Sequence, residues 1–131
     1  MLGTAIRERI SILDEHIAFG KYYTAASLLN QLENCIQKQV DETLRSDVES
    51  HDLSRQNWNS IHADTAYRRG IVVDKLRASA LRSSRSIEQV RKCVSSIVNA
   101  GGIRCHTDAS KLLIECYSSR NGLSMKTEGG I

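Results

Sequence analysis

The middle of the chain concentrates positive charge at a spacing that suits a helix. Residues 61–92 contain eight Lys/Arg against three Asp/Glu, whereas residues 1–60 contain six against nine. Arg68, Lys75 and Arg82 are seven residues apart, so they would share one face of a helix that is unbroken from the late fifties to the early eighties. Cations placed in this way can contact successive phosphates of a nucleic acid, because counterion release gives affinity without reading base sequence.

The sequence therefore predicts a non-enzymatic protein that contacts the phosphate backbone of duplex RNA or DNA through this basic helix face. The residues assigned to the contact are Arg68, Arg69, Lys75, Arg77, Arg82 and Arg85. The alternative is a solvated helix face with ordinary ion pairs, because Asp64 precedes Arg68 by four residues. The net charge of the whole chain, +3, is modest for a dedicated nucleic-acid-binding domain.

A second hypothesis concerns two apolar stripes near the N-terminus, which are narrow enough for a coiled-coil seam. The stripes comprise Ile10, Leu13 and Ile17, followed by Leu29, Leu32, Ile36, Val40 and Leu44. They are predicted to form the core and a homodimer contact, because the second helix outruns the first by roughly two turns and the excess needs a partner. The homodimer is expected for the nucleic-acid-binding protein, and the alternative function is a helical adaptor or assembly protein that binds another protein's helix through its acidic first hairpin.

The cysteines and histidines are candidates for a metal site, but their spacing does not favour one. Cys93, Cys105, His106 and Cys116 provide three thiols and an imidazole, but they lack the closely spaced ligand pairs of structural zinc, so no metal or other cofactor is predicted. The four cysteines are irregularly spaced and no secretory signal is evident, which favours reduced thiols in an intracellular protein, cytoplasmic or nuclear.

Catalysis is not expected either. Ser60, His62 and Asp64 are close in sequence, but residues two apart on a helix point to different faces, and a catalytic triad is defined by its geometry in space. The chain has no glycine-rich phosphate loop and no nucleophile elbow. It also has no apolar run of the roughly 20 residues that span a bilayer, so no membrane association is expected.

These candidate residues require helices to position them. The chain contains no proline, so the commonest helix breaker is absent and glycine provides the interruptions. We predict an all-α fold, a four- to five-helix bundle opened by an antiparallel helical hairpin and dimeric. Residues 1–122 would form a single domain, and the polar, glycine-containing residues 123–131 a flexible tail.

Capping residues predict where the helices begin and end. Thr4 and Thr24 are the expected caps of the first two helices, and the third is expected to start near Asp52 or Ser54 and to continue through Gly70.

Ser86 and Gln89 have the capping-box spacing of a fourth helix, which the glycines at 101 and 102 should end. A last helix is predicted between a cap at Thr107 or Asp108 and a terminator at residues 121–122. Its apolar face would comprise Ala109, Leu112, Leu113, Cys116 and Tyr117.

Overall fold

Helix is the only regular secondary structure in the described chain. The computed structural model describes residues 2–46, 51–101 and 103–129, and the side chains of residues 6–41, 58–101 and 104–118. Within those ranges the helices are α1 (Leu2–Ala18), α2 (Tyr22–Ser46), α3 (His51–Arg82), α4 (Ile87–Asn99) and α5 (Ile103–Gly129). The prediction of an all-α chain is confirmed. The bundle arrangement and the homodimer stay predictions.

The longest helix in the described chain is α3, which has 32 residues and continues through Gly70 without interruption. It contacts each of the other four helices. Val72 and Leu76 on its inner face are buried, and so is Thr65, whose hydroxyl donates a hydrogen bond to the Ile61 carbonyl at 2.8 Å. The expectation of a single helix from the late fifties to the early eighties is therefore confirmed.

The two N-terminal apolar stripes pack within the chain itself. Leu13 of α1 and Leu29, Leu32 and Ile36 of α2 are almost completely inaccessible to solvent. Partly buried residues pack against this core, among them Ile10, Ile17 and Val40. The side chain of Leu44 lies outside the described residues. Most of the apolar surface that the sequence assigns to a core or to a second copy is thus covered by the chain's own helices.

Two left-handed glycines end helices and reverse the chain. Gly20 has φ +74° after α1, and the amides of Gly20 and Lys21 donate to the carbonyls of Ile17 and His16 at 3.1 and 2.9 Å. Gly101 has φ +85° after α4, and its amide donates to the Val98 carbonyl at 3.3 Å. Because an L side chain is strained at this φ, glycine is the favoured residue at both positions.

The predicted cap of α4 forms, but only half of the capping box is present. The Ser86 hydroxyl accepts a hydrogen bond from the Gln89 amide at 3.3 Å. The Gln89 side chain does not return to the backbone of Ser86, and instead donates to the Tyr23 hydroxyl at 2.6 Å. A tertiary contact between α2 and α4 has replaced the local one.

The expected limits of the last helix are wrong. Because Gly101 reverses the chain at once, α5 begins at Ile103, and the proposed caps Thr107 and Asp108 lie inside the helix. Its C-terminal end is at Gly129, beyond the proposed terminator at residues 121–122, since a glycine costs only about 1 kcal/mol in a helix interior. The first three helices begin one to three residues before their expected starts, whereas α4 begins directly after its expected cap. The division into a domain and a tail at residue 122 stays a prediction.

Replacement of Gly70 and of Gly101 by alanine should change the free energy of unfolding in opposite directions. Gly70→Ala should raise the free energy of unfolding by roughly 1 kcal/mol, since α3 is helical there and a Cβ would have no heavy atom within 4 Å apart from neighbouring backbone. Gly101→Ala should lower it, because its φ of +85° is strained for alanine. Urea denaturation of the two variants checks both signs, and a destabilised Gly70→Ala would contradict an uninterrupted α3.

Candidate functional site

The first residue of the predicted phosphate-binding face is already paired within the chain. Arg68 donates from Nε to Asp14 Oδ1 at 2.6 Å and from Nη2 to Asp14 Oδ2 at 3.0 Å, so it joins α3 to α1. Its Nη1 donates to the Asp64 carbonyl at 2.9 Å. The hydrogen bond to Asp14 raises the pKa of the Arg68 guanidinium. All three guanidinium nitrogens therefore have partners in the chain itself.

Arg69 points toward the interior between α2 and α4. Its Nη2 donates to Glu33 Oε2 at 2.6 Å, and its Nε donates to the Ala100 carbonyl at 3.0 Å. The side chain is only 15% exposed. Because the last carbonyls of a helix lack partners in their own helix, Arg69 satisfies the C-terminal end of α4 while it neutralises Glu33.

Arg77 joins α3 to α5. Its Nη2 donates to both carboxylate oxygens of Glu115, at 2.7 and 2.8 Å, and this contact raises the pKa of Arg77. Both side chains are substantially exposed, at 48% and 39%, so solvent screens the pair.

The other three residues of the predicted face remain accessible. Lys75, Arg82 and Arg85 are exposed, and none forms an ion pair within the described part of the chain. The predicted set thus divides into three arginines with internal partners and three cations on the surface. The assignment of these residues to nucleic-acid binding stays a prediction.

A polar network lies where α2, α3 and α4 meet. The side-chain Nε2 of Gln89 is 2.6 Å from the Tyr23 hydroxyl and 3.4 Å from the Ser79 hydroxyl. The Tyr23 hydroxyl is 3.5 Å from the Cys93 sulfur. Burial and the neighbouring Cys93 raise the pKa of Tyr23. Lys92 Nζ lies 4.3 Å from the centroid of the Tyr23 ring, a cation–π contact. These contacts link α2, α3 and α4 to one another.

The thiols are mostly interior groups. Cys93, Cys105 and Cys116 are buried, and Cys35 is partly buried. Burial raises the pKa of both Cys105 and Cys116, so these thiols remain protonated and poorly reactive. No three His, Cys, Asp or Glu side chains come together at metal-binding distances among the described residues.

An open apolar groove lies between α4 and α5. Its volume is about 380 Å³. Its lining residues are Ser84, Ile87, Val90, Arg91, Leu113, Ile114, Cys116 and Tyr117, and we call it the α4–α5 groove. Four of its large apolar side chains are well exposed: Ile87 at 45%, Leu113 at 46%, Ile114 at 66% and Tyr117 at 67%. Contiguous exposed apolar surface of this kind is typical of interaction sites.

The groove exists because α5 carries more apolar residues than the core can cover. Ala109, Leu112 and Cys116 face inward and are buried. The sequence analysis placed Leu113 and Tyr117 on one apolar face with these residues, but both are well exposed. The overlooked pattern was the apolar run at 112–114 followed by 116 and 117, which is too wide an arc for one helix seam.

A second cleft, which includes Gly70, is lined mainly by charged residues. Its volume is about 450 Å³. It is lined by Glu33, Ala66, Arg69, Gly70, Val73, Asp74, Arg104 and Asp108. Two guanidinium groups and three carboxylates share this cleft, so it does not present one dominant charge to a ligand.

Comparison of the chain with protein-family models, curated proteins and solved structures finds no match. None of the described helices is both long and apolar enough to cross a membrane.

The partly buried contacts of Arg69 and the exposed pair of Arg77 should contribute differently to stability. Arg69→Met should lower the free energy of unfolding by about 2 kcal/mol, because it leaves the Ala100 carbonyl and the partly buried Glu33 without their charged donor. Arg77→Met should have a much smaller effect that high salt removes, because its pair with Glu115 is open to solvent. Urea denaturation at low and high ionic strength measures both, and equal losses would contradict the assigned roles.

Proposed function

We propose that the protein is a non-enzymatic helical adaptor that binds a helix of another protein in the α4–α5 groove. The observation that carries the proposal is the exposure of Ile87, Leu113, Ile114 and Tyr117 along one continuous apolar groove. Two adjacent helices with such a groove offer the surface into which the apolar face of an amphipathic helix packs. Burial of those side chains would supply the driving force, about 25 cal/mol for each Å² of apolar surface removed from water.

The α4–α5 groove replaces the N-terminal hairpin as the binding surface of the adaptor that the sequence suggested. The N-terminal hairpin was the expected surface, yet Leu13, Leu29 and Leu32 are already buried inside the chain and are not available to a partner. The α4–α5 groove is accessible without unfolding any of the core. We propose that the five helices form a bundle in which the other four pack against α3. Homodimerisation stays a prediction.

Binding to the phosphate backbone of duplex RNA or DNA is the second candidate, favoured by the exposure of Lys75, Arg82 and Arg85 without ion pairs among the described residues. Each phosphate contact contributes about −0.9 to the slope of log K against log salt. With three contacts, the affinity should fall about 40-fold when the salt concentration rises from 50 to 200 mM. With the six contacts expected from the sequence, it should fall roughly 2,000-fold. The internal pairing of the other three arginines is why we place this function second.

Photocrosslinking tests the adaptor proposal with a matched pair of tyrosines. Tyr117 lies in the groove and Tyr67 lies on α3 outside it, and they are 67% and 71% exposed. A photoreactive phenylalanine at position 117 should give a discrete protein adduct in cells of the source organism, and the same residue at position 67 should not. A second substitution, Leu113→Asp, should abolish the adduct. Adducts of equal yield at both positions, or none at 117, would overturn the proposal.

An electrophoretic gel shift tests the second candidate. The purified protein should retard duplex RNA or DNA at low salt and release it at moderate salt, and the triple variant Lys75→Glu/Arg82→Glu/Arg85→Glu should not retard either one. Lys38→Glu, a single reversal at an exposed residue of α2, is the control for non-specific charge loss. Circular dichroism verifies that the variants remain helical. If no duplex is retarded by the unmodified protein, nucleic-acid binding is rejected.

A further inference from the structure

The charges around the α4–α5 groove narrow the choice of occupant. Among the described residues, Arg91 is the only charged one that lines the groove, and no carboxylate of the described side chains lines it. Arg91 is exposed and has no ion pair in the described chain. A cation left unpaired beside an apolar surface favours a partner that brings the opposite charge.

Three further cations are close in sequence to residues that line the groove. Arg85 and Arg82 precede the lining residue Ile87 by two and five residues, and Lys111 precedes Ile114 by three, one helical turn. All three are exposed and also lack ion pairs within the described ranges.

Carboxylates near the groove are fewer. Glu88 of α4 is exposed, while Glu115 of α5 is engaged by Arg77. The described residues that flank the groove lining in sequence are therefore mainly basic, with the cations at positions 82, 85 and 111 against the exposed Glu88.

We infer that the α4–α5 groove binds an acidic amphipathic helix, one whose apolar face is flanked by Asp and Glu; the inference rests on the adaptor function proposed above. The apolar side chains of that helix would pack on Leu113, Ile114 and Tyr117. Its flanking carboxylates would pair with Arg91 and with the cations at positions 85 and 111. Apolar burial would supply affinity, and the charges would select acidic partners and accelerate association.

A second copy of the chain suits the groove less well. If two copies met groove to groove, each would bring an unpaired Arg91 toward a surface that is already positive, and like charges in an interface oppose binding. A helix with flanking lysines meets the same repulsion. The charge pattern thus distinguishes the acidic helix from the other apolar occupants that the groove would otherwise accept.

Synthetic peptides test the inference directly. Two helices of about five turns would share one Leu/Ile face and differ only in flanking residues, Glu in one and Lys in the other. Fluorescence anisotropy with the full chain at low salt should give an affinity at least about tenfold higher for the Glu peptide, since several exposed pairs of modest strength add together. Moderate salt should reduce that preference, while leaving the apolar contribution in place.

Variants separate the charge selection from the groove itself. Arg85→Glu/Arg91→Glu should lower the affinity for the Glu peptide and raise it for the Lys peptide. Arg104→Glu, an exposed residue of α5 outside this groove, should change neither by more than a small factor. Leu113→Asp should weaken binding of both peptides. Leu113 is 46% exposed, so the fold should survive, and circular dichroism checks this.

The outcomes have distinct meanings. Equal affinities for the two peptides, with both weakened by Leu113→Asp, would overturn the acidic preference and leave the adaptor function standing. Binding of neither peptide would overturn the groove as a helix-binding site and with it the proposed function. A homodimer in sedimentation that Leu113→Asp dissociates would show that a second copy occupies the groove, which also overturns the inference.

Discussion

Burial of one face of α3 is the interaction on which the rest of the structure depends. Val72, Leu76 and Ala80 lie on that face, and all four other helices contact α3. A fully buried Val or Leu side chain contributes roughly 1.5–3 kcal/mol, whereas an exposed ion pair contributes about 0–1 kcal/mol. The apolar face therefore determines that the helices associate, and the arginines at its edges adjust how neighbouring helices align.

Part of the uneven charge along the chain is used within the fold. The acidic first half supplies Asp14 and Glu33, and the basic middle supplies Arg68 and Arg69, which pair with them. These partners are 54 and 36 residues apart in sequence, so a search for pairs at helical spacing finds only Asp64 as a partner for Arg68. Segregated charge that resembles a ligand-binding signature in sequence is, for these residues, complementarity between helices.

Several features set by local interactions were predictable from the sequence, whereas the start of α5 and the apolar groove were not. The continuity of α3 follows from the absence of proline and the low cost of one glycine, and the Ser86 cap and the Gly101 stop are local backbone events. The start of α5 depends on how quickly Gly101 reverses the chain. The groove depends on which apolar residues of α5 lie beyond the reach of α3 and α4, a property of the assembled helices that periodicity alone does not contain.

The left-handed turns at Gly20 and Gly101 affect how the chain reaches its final state. Each reversal takes only a few residues, and each helix contacts the next one along the chain. Closing such short loops costs little entropy, and helical proteins dominated by contacts between neighbours in sequence refold in microseconds to milliseconds. With no proline anywhere in the sequence, no slow isomerisation of the tens-of-seconds kind interrupts that process.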